Sequence, residues 1–179
     1  MPGRTMQGTG KKVLLTGPPG CGKTTVARKT AEILGSRAVG FFTEDVRDAK
    51  GTRTGFQVES VDGRKGELSH RRSGPGPRVG AYVVLVRAFE AVAIPSLVGD
   101  GHKVFIIDEI GKMECFSEPF RTRVREIFDS NAGILATIPV RSAVPFIEGI
   151  RNRPDVAVVT VTRENRDRLP EELSAAFQG

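Results

Sequence analysis

Residues 17–24 read Gly-Pro-Pro-Gly-Cys-Gly-Lys-Thr, and an apolar run, Lys12-Val-Leu-Leu-Thr16, leads straight into them. A helical pattern follows from Lys23 to Leu34, with Gly35 placed to end it. The segment therefore folds as strand, glycine loop, helix. Gly17, Gly20 and Gly22 allow a backbone path that turns successive N–H groups inward, and the helix start adds its positive dipole end. A cradle of this kind binds phosphate. The eight residues match G-x-x-x-x-G-K-[ST], the Walker A pattern, at every fixed position, and the flanking strand and helix supply the context that the motif needs. Within it, Lys23 reaches the terminal phosphates of a nucleotide and Thr24 offers a hydroxyl to Mg²⁺. Pro18, Pro19, Cys21 and Thr25 complete the expected nucleotide-binding segment.

A second segment fits the first. Val104, Phe105, Ile106 and Ile107 form a short apolar run that ends in Asp108-Glu109-Ile110-Gly111. A buried strand delivers its last residues to the carboxyl edge of an α/β sheet, where ligands bind. Asp108 is the expected Mg²⁺ partner, and Glu109 the expected general base or orienter of an attacking water. Phosphotransferases exclude water, so a carboxylate beside the metal ligand points to hydrolysis. Lys112 is expected to touch phosphate or to pair with Glu114, and Thr137, at the end of the next strand, to meet the γ-phosphate or to serve as a cap. Among the arginines that could supply a second cation, Arg151, Arg153, Arg163 and Arg166, the residues taken as contacts are Arg153 and Arg166. Asp108-x-x-Gly111 and Asn152-x-x-Asp155 imitate guanine-nucleotide switch motifs, but Asn152 follows a short helix rather than a strand, so this reading is set aside.

Elsewhere strands alternate with helical stretches, which predicts an α/β fold with a mixed, mostly parallel sheet between helices. Strands are expected at 12–16, 38–43, 79–84, 104–107, 133–137 and 156–161. Helices are expected at 23–34 (Val26, Ile33 and Leu34 facing the core), 86–98, 118–128, 144–150 and 164–177. Residues 54–68 interrupt the rhythm as an inserted β-hairpin turning at Asp62-Gly63. Residues 12–179 are expected to form a single domain behind a disordered lead-in at 1–11.

Composition narrows the partners. The net charge of +6 favours anions. With one Tyr and no Trp, stacking platforms for nucleic acid are scarce. The basic stretch His70-Arg-Arg-Ser73 with Arg78 is the one candidate for such a contact. Cys21 and Cys115 are the only cysteines, too few and too far apart for a disulfide framework or a zinc site. No apolar run is long enough to span a membrane, and residues 1–10 lack a secretory apolar segment. An intracellular monomer is expected.

Nine short segments in order strengthen the reading: 15–25 around the glycine loop, Gly40-Phe-Phe-Thr-Glu44, Arg53-Thr-Gly-Phe56, Val79-Gly-Ala-Tyr82, Ala93-Ile-Pro95, Val104-Phe-Ile-Ile-Asp-Glu-Ile-Gly-Lys-Met-Glu114, Ala136-Thr-Ile-Pro139, Ile150-Arg-Asn-Arg153 and Thr162-Arg-Glu-Asn-Arg166. Together they resemble the thermostable-type nucleoside-triphosphatases of archaea and bacteria, whose eukaryotic relatives are called cancer-related nucleoside-triphosphatase. The resemblance covers about residues 12–178. It implies a RecA-like P-loop fold and slow, Mg²⁺-dependent hydrolysis of ATP, GTP and other nucleoside triphosphates. Two other functions compete: transfer of phosphate to a nucleoside or small alcohol, and nucleic-acid binding switched by nucleotide.

Overall fold

The computed structural model describes residues 11–179, so most of the expected lead-in at 1–11 lies outside the described residues. The described residues form a nine-stranded sheet, β1 (Lys12–Thr16), β2 (Ala38–Arg47), β3 (Arg53–Ser60), β4 (Lys65–His70), β5 (Arg78–Val79), β6 (Tyr82–Val84), β7 (Val104–Ile107), β8 (Gly133–Thr137) and β9 (Val156–Thr160). Their order across the sheet is β5-β6-β4-β3-β2-β7-β8-β1-β9. The ladders joining β2, β7, β8, β1 and β9 are parallel. The β3–β6 side is antiparallel throughout. The sheet is mixed, as expected. The inserted hairpin is the start of a four-strand antiparallel wing.

Among the described residues five α-helices cover the sheet: α1 (Lys23–Leu34), α2 (Val86–Ser96), α3 (Glu118–Asp129), α4 (Pro145–Arg151) and α5 (Leu169–Gln178). The strands buried between helix layers explain the layering. In β7, Val104 and Ile106 pack with Val26, Ala27, Ala31 and Leu34 of α1 and Leu169, Leu173 and Phe177 of α5. Phe105 and Ile107 point the other way, into the core of α2, α3 and α4. An uninterrupted apolar run is what a parallel strand covered on both faces requires. Phe41, Phe89 and Phe120 meet edge to face, with ring centroids 5.3–5.8 Å apart. Each such pair adds about 0.5–1.5 kcal/mol beyond its buried area, and together they lock α2 and α3 to the second strand.

Four local expectations need correction. Ile33 is 47% exposed. The buried stripe of α1 runs through Ala27, Thr30, Ala31 and Leu34, leaving Ile33 on its flank. Residues 79–84 are two strands, because Gly80 takes a positive φ of 57° and the chain reverses between Val79 and Tyr82. The second strand runs on past residue 43 to Arg47, where β3 pairs with its outer half. The last helix begins at Leu169, not 164, with Pro170 in its first turn, where a missing N–H costs nothing. Before it, the Thr162 N–H donates to Asn165 Oδ1 at 2.8 Å and closes a turn. Pro95 lies in the last turn of α2, which stops at Ser96.

Candidate active site

The parallel strands put their carboxyl ends in one row. Leu15 is level with Thr137, Ile107 with Ala136, and Phe41 with Ile107. Beyond the strands the ladder continues, with Ile110 N–H donating to Thr137 O at 2.9 Å and Val161 N–H to Thr16 O at 2.8 Å. The glycine loop after β1 and the acids after β7 therefore share one edge, although β8 lies between their strands.

In the loop, Gly17, Gly20 and Gly22 have φ of 147°, 78° and 113°. A side chain at Gly17 would also strike Cys21 Sγ at 2.7 Å and the Val161 carbonyl at 2.9 Å, so both torsion and space require glycine there. Lys23 Nζ donates to the Gly17 carbonyl at 2.7 Å and to that of Pro18 at 3.3 Å, which keeps the ammonium inside the loop's curve. Pro18, Pro19, Gly20 and Thr25 are exposed, and Cys21, Gly22, Lys23 and Thr24 are half-buried.

Asp108 is 2% exposed. Thr137 donates to its Oδ1 at 2.5 Å, while its buried Oδ2 has no hydrogen-bond partner. Burial lifts its carboxyl above the usual range, opposed first by the Thr137 hydroxyl and then by the nearby Thr24, the Thr43 backbone and the charge of Arg28. Glu109 is pushed up to about 7, mainly by burial and then by the charge of Asp108, with Lys23 opposing. The peptide bond between the two acids is cis. Val104, Phe105, Ile106 and Ile107 are buried strand residues that carry the acids to the edge and touch the core rather than the loop's opening; Ile110 is likewise buried.

Thr137 was expected to face phosphate. It is fully buried and its hydroxyl is committed to Asp108, so it holds that carboxylate in place. Lys112 is exposed, and among the described residues it forms no ion pair. Arg153 does not belong to this edge. It precedes β9, whose first residue is level with Lys12, at the opposite end of the strands. There it pairs with Asp129 at 2.7 Å and Asp155 at 3.0 Å and donates to the Phe128 carbonyl. Asp155 also takes Lys12, at 2.7 Å, so the Asn152–Asp155 mimic is structural. Arg151 is held by Glu148 and the Pro139 carbonyl. Arg163 and Arg166 follow β9 and stand at the correct edge, both exposed. The Arg166 Cδ lies 3.3 Å from where a Gly22 Cβ would be, so its side chain leans on the loop at the start of α1.

The basic stretch after β4 sits on the antiparallel wing, separated from β1 by β3, β2, β7 and β8. Arg72 pairs with Glu67 at 3.2 Å, and Arg71 covers the Tyr82 ring at 5.3 Å. Among the described residues no helix is long and apolar enough to cross a membrane.

Sequence reasoning gave Glu114 no part in the site beyond a pairing with Lys112, which the described residues do not form. It is 4% exposed, and its carboxyl reaches Gly111 beside that of Glu109. Burial first, then the charge of Glu109, raises it well above the usual range. Its place in the 104–114 run was the signal that could have found it.

Known proteins resemble this chain over nearly its whole length. Nucleoside-triphosphatase THEP1 of Aquifex aeolicus is 44% identical, over 93% of this chain and 99% of its own. The human cancer-related nucleoside-triphosphatase is also 44% identical, over 94% and 97%. The crystal structure of the Aquifex THEP1 superposes with a TM-score of 0.86 over 94% of this chain and 99% of that one, at 43% identity. The solution structure of the human protein gives 0.78 over 94% and 97%, at 44% identity. The family described as NTPase matches residues 12–174. With a P-loop, a buried acidic strand end and this likeness over nearly its whole length, the chain belongs to the NTPase family.

Proposed function

We propose that this chain is a nucleoside-triphosphatase that hydrolyses ATP, GTP, CTP and UTP to the diphosphate and phosphate, with Mg²⁺ and weak selectivity for the base. The relatives' names support the activity. The observation that carries it is the meeting, at one sheet edge, of the glycine loop with a buried Asp108-Glu109 pair.

The residues fit a small, hard cation. Asp108 Oδ2 is buried without a hydrogen-bond partner, and the Thr24 hydroxyl acts on the same carboxylate, an all-oxygen set of the kind Mg²⁺ takes alongside phosphate and water. Asp108 and Thr24 would hold it, and Thr137 keeps Asp108 turned toward it. When bound, the ion neutralises charge on the phosphate oxygens.

The chain's own groups do the rest. Lys23 exchanges its carbonyl partners for the terminal phosphates, and the inward N–H groups of the loop bind the phosphate chain. Glu109 orients a water for in-line attack on the γ-phosphorus and accepts its proton. A carboxyl with affinity near 7 is suited to that exchange at neutral pH. Lys23 and the loop N–H groups stabilise the charge that spreads over the transferred group. Arg166, against Gly22, is the side chain best placed to touch phosphate or base. The groups assembled here face phosphates and none reads a base edge, hence the weak selectivity.

The reading is tested by phosphate release from the four triphosphates with Mg²⁺, comparing wild type with Lys23→Ala. Turnover of several triphosphates, with binding and turnover both lost in Lys23→Ala, is the expected result. Tight binding of all four with no phosphate released by the wild type would overturn it.

A further inference from the structure

Thr24 and Arg28 stand one turn apart on α1, so their side chains leave the same face of the helix. Arg28 fastens that face to the neighbouring strands. Its guanidinium pairs with Glu44 of β2 at 2.6 Å and with Glu59 of β3 at 3.0 Å, and it lies 4.3 Å from the centre of the Phe42 ring. Phe42 is level with Glu59, and Glu44 with Gln57. Both carboxylates are themselves held: Gln57 Nε2 donates to the other Glu44 oxygen at 3.3 Å, and Lys65 pairs with the other Glu59 oxygen at 3.4 Å. Arg28 Nε is buried there without a hydrogen-bond partner among the described residues, a destabilising feature that a purely structural ion pair has no reason to keep.

Asp108 is tied to the same strand from its other side. Its N–H donates to the Phe41 carbonyl at 3.2 Å, and Phe41 is level with Ile107. The strand β2 is thus the common frame of the two residues proposed to hold the cation, Asp108 through Phe41 and Thr24 through Arg28 with Phe42 and Glu44. Mg²⁺ accepts little variation in the placing of its oxygens, so the gap between the Thr24 hydroxyl and the Asp108 carboxylate has to be held. The buried stripe of α1 fixes how deep the helix sits, but apolar contact is non-directional. A planar fork on two carboxylates and a ring fixes its rotation and slide as well. We infer that Arg28 is a positioning residue for the Mg²⁺ site, setting Thr24 against Asp108 by clamping α1 to β2 and β3.

The inference rests on the proposal that Thr24 and Asp108 hold Mg²⁺, and the test separates the two. Mn²⁺, in place of Mg²⁺, would be titrated into the ADP complex and followed by electron paramagnetic resonance. The proteins compared are wild type, Arg28→Lys, Arg28→Gln, Thr24→Ala and the Thr24→Ala/Arg28→Gln double variant, with ADP binding in EDTA as a separate report on the loop. Lys keeps the charge but not the fork, and Mn²⁺ affinity is expected to fall about 10-fold, as for loss of a group that orients a metal ligand. Gln removes a positive charge that acts on Asp108, which by charge alone would tighten Mn²⁺ binding. As a lost clamp it loosens binding instead, by about 10- to 100-fold. ADP affinity in EDTA stays near that of wild type, since Lys23 and the N–H groups of the loop are untouched. In the Thr24→Ala background Arg28→Gln costs nothing further, because Arg28 acts through Thr24. The inference is overturned if Arg28→Gln binds Mn²⁺ as tightly as wild type or more tightly, if its metal-free ADP affinity falls by the same factor as its Mn²⁺ affinity, or if Gln costs the same factor with and without Thr24. Should Arg28→Gln not fold, Arg28→Lys decides alone, and wild-type Mn²⁺ affinity in it overturns the inference. If Thr24→Ala binds Mn²⁺ like wild type, the role proposed for Thr24 fails first and takes the inference with it.

Discussion

Gly111→Ala separates catalysis from stability at this site. Gly111 is not at positive φ, so alanine costs nothing in torsion. The added methyl meets Glu109 Oε1 at 2.5 Å, Glu114 Oε2 at 2.6 Å and Glu109 Cγ at 2.9 Å, where ordinary contact begins at 3.4 Å. All three atoms belong to side chains and none to backbone, so the site yields by side-chain shifts, at about 1–3 kcal/mol for overpacking a buried position. The Glu109 carboxylate, however, must retreat by roughly 1 Å, a misplacement that can cost about 100-fold in rate. A 100-fold loss corresponds to about 2.7 kcal/mol of transition-state stabilisation. Steady-state phosphate release from Mg²⁺-ATP would show kcat down by that factor with KM nearly unchanged, while the thermal midpoint falls only by what that overpacking costs. A Gly111→Ala enzyme with wild-type kcat would refute the reasoning, since it would mean that the carboxylate position over Gly111 has no bearing on turnover.

Two further perturbations test other parts of the site and fold. Thr137→Val removes the 2.5 Å hydrogen bond to Asp108 and leaves that oxygen buried and unpaired, a loss of about 1.5–3 kcal/mol; turnover should require a higher Mg²⁺ concentration, and an unchanged Mg²⁺ titration would count against the role given to Thr137. Asp155 is held well below the usual carboxylate range, first by Arg153 and, against burial, also by Lys12. A depressed folded-state pKa lends stability that is complete above the unfolded value near pH 4 and is lost as pH falls further. Because Asp155 is 41% exposed, screening limits its share to about 1 kcal/mol; unfolding of Asp155→Asn should show the full deficit at pH 7 and a smaller one at pH 2.5, where the unfolded carboxyl is protonated but the folded one still holds charge.

The parts of the site that could be read from the sequence are those built from neighbours in the chain. The glycine loop and the Asp108-Glu109 pair are each a strand end and the residues after it, so spacing and apolarity suffice. Parallel pairing then aligns the two ends without further information. Arg153 was misjudged for the same reason of polarity. It comes before β9 rather than after it, so it stands at the amino edge beside Lys12, while Arg166 comes after β9 and reaches Gly22. Glu114 escaped because its meeting with Glu109 depends on a tight turn through Gly111, and no periodicity marks such a turn. The same holds for the reversal at Gly80, where β5 and β6 read as one apolar run.

The central claim is that Glu109 acts on water and not on nucleotide binding. Glu109→Ala should be titrated with Mg²⁺-ATP by calorimetry, and the same complex followed for phosphate release under single-turnover conditions. The account predicts binding within a few-fold of wild type and hydrolysis slowed by at most about 10⁴-fold and at least about 100-fold, as for loss of a general base. Hydrolysis by Glu109→Ala at the wild-type rate would contradict it.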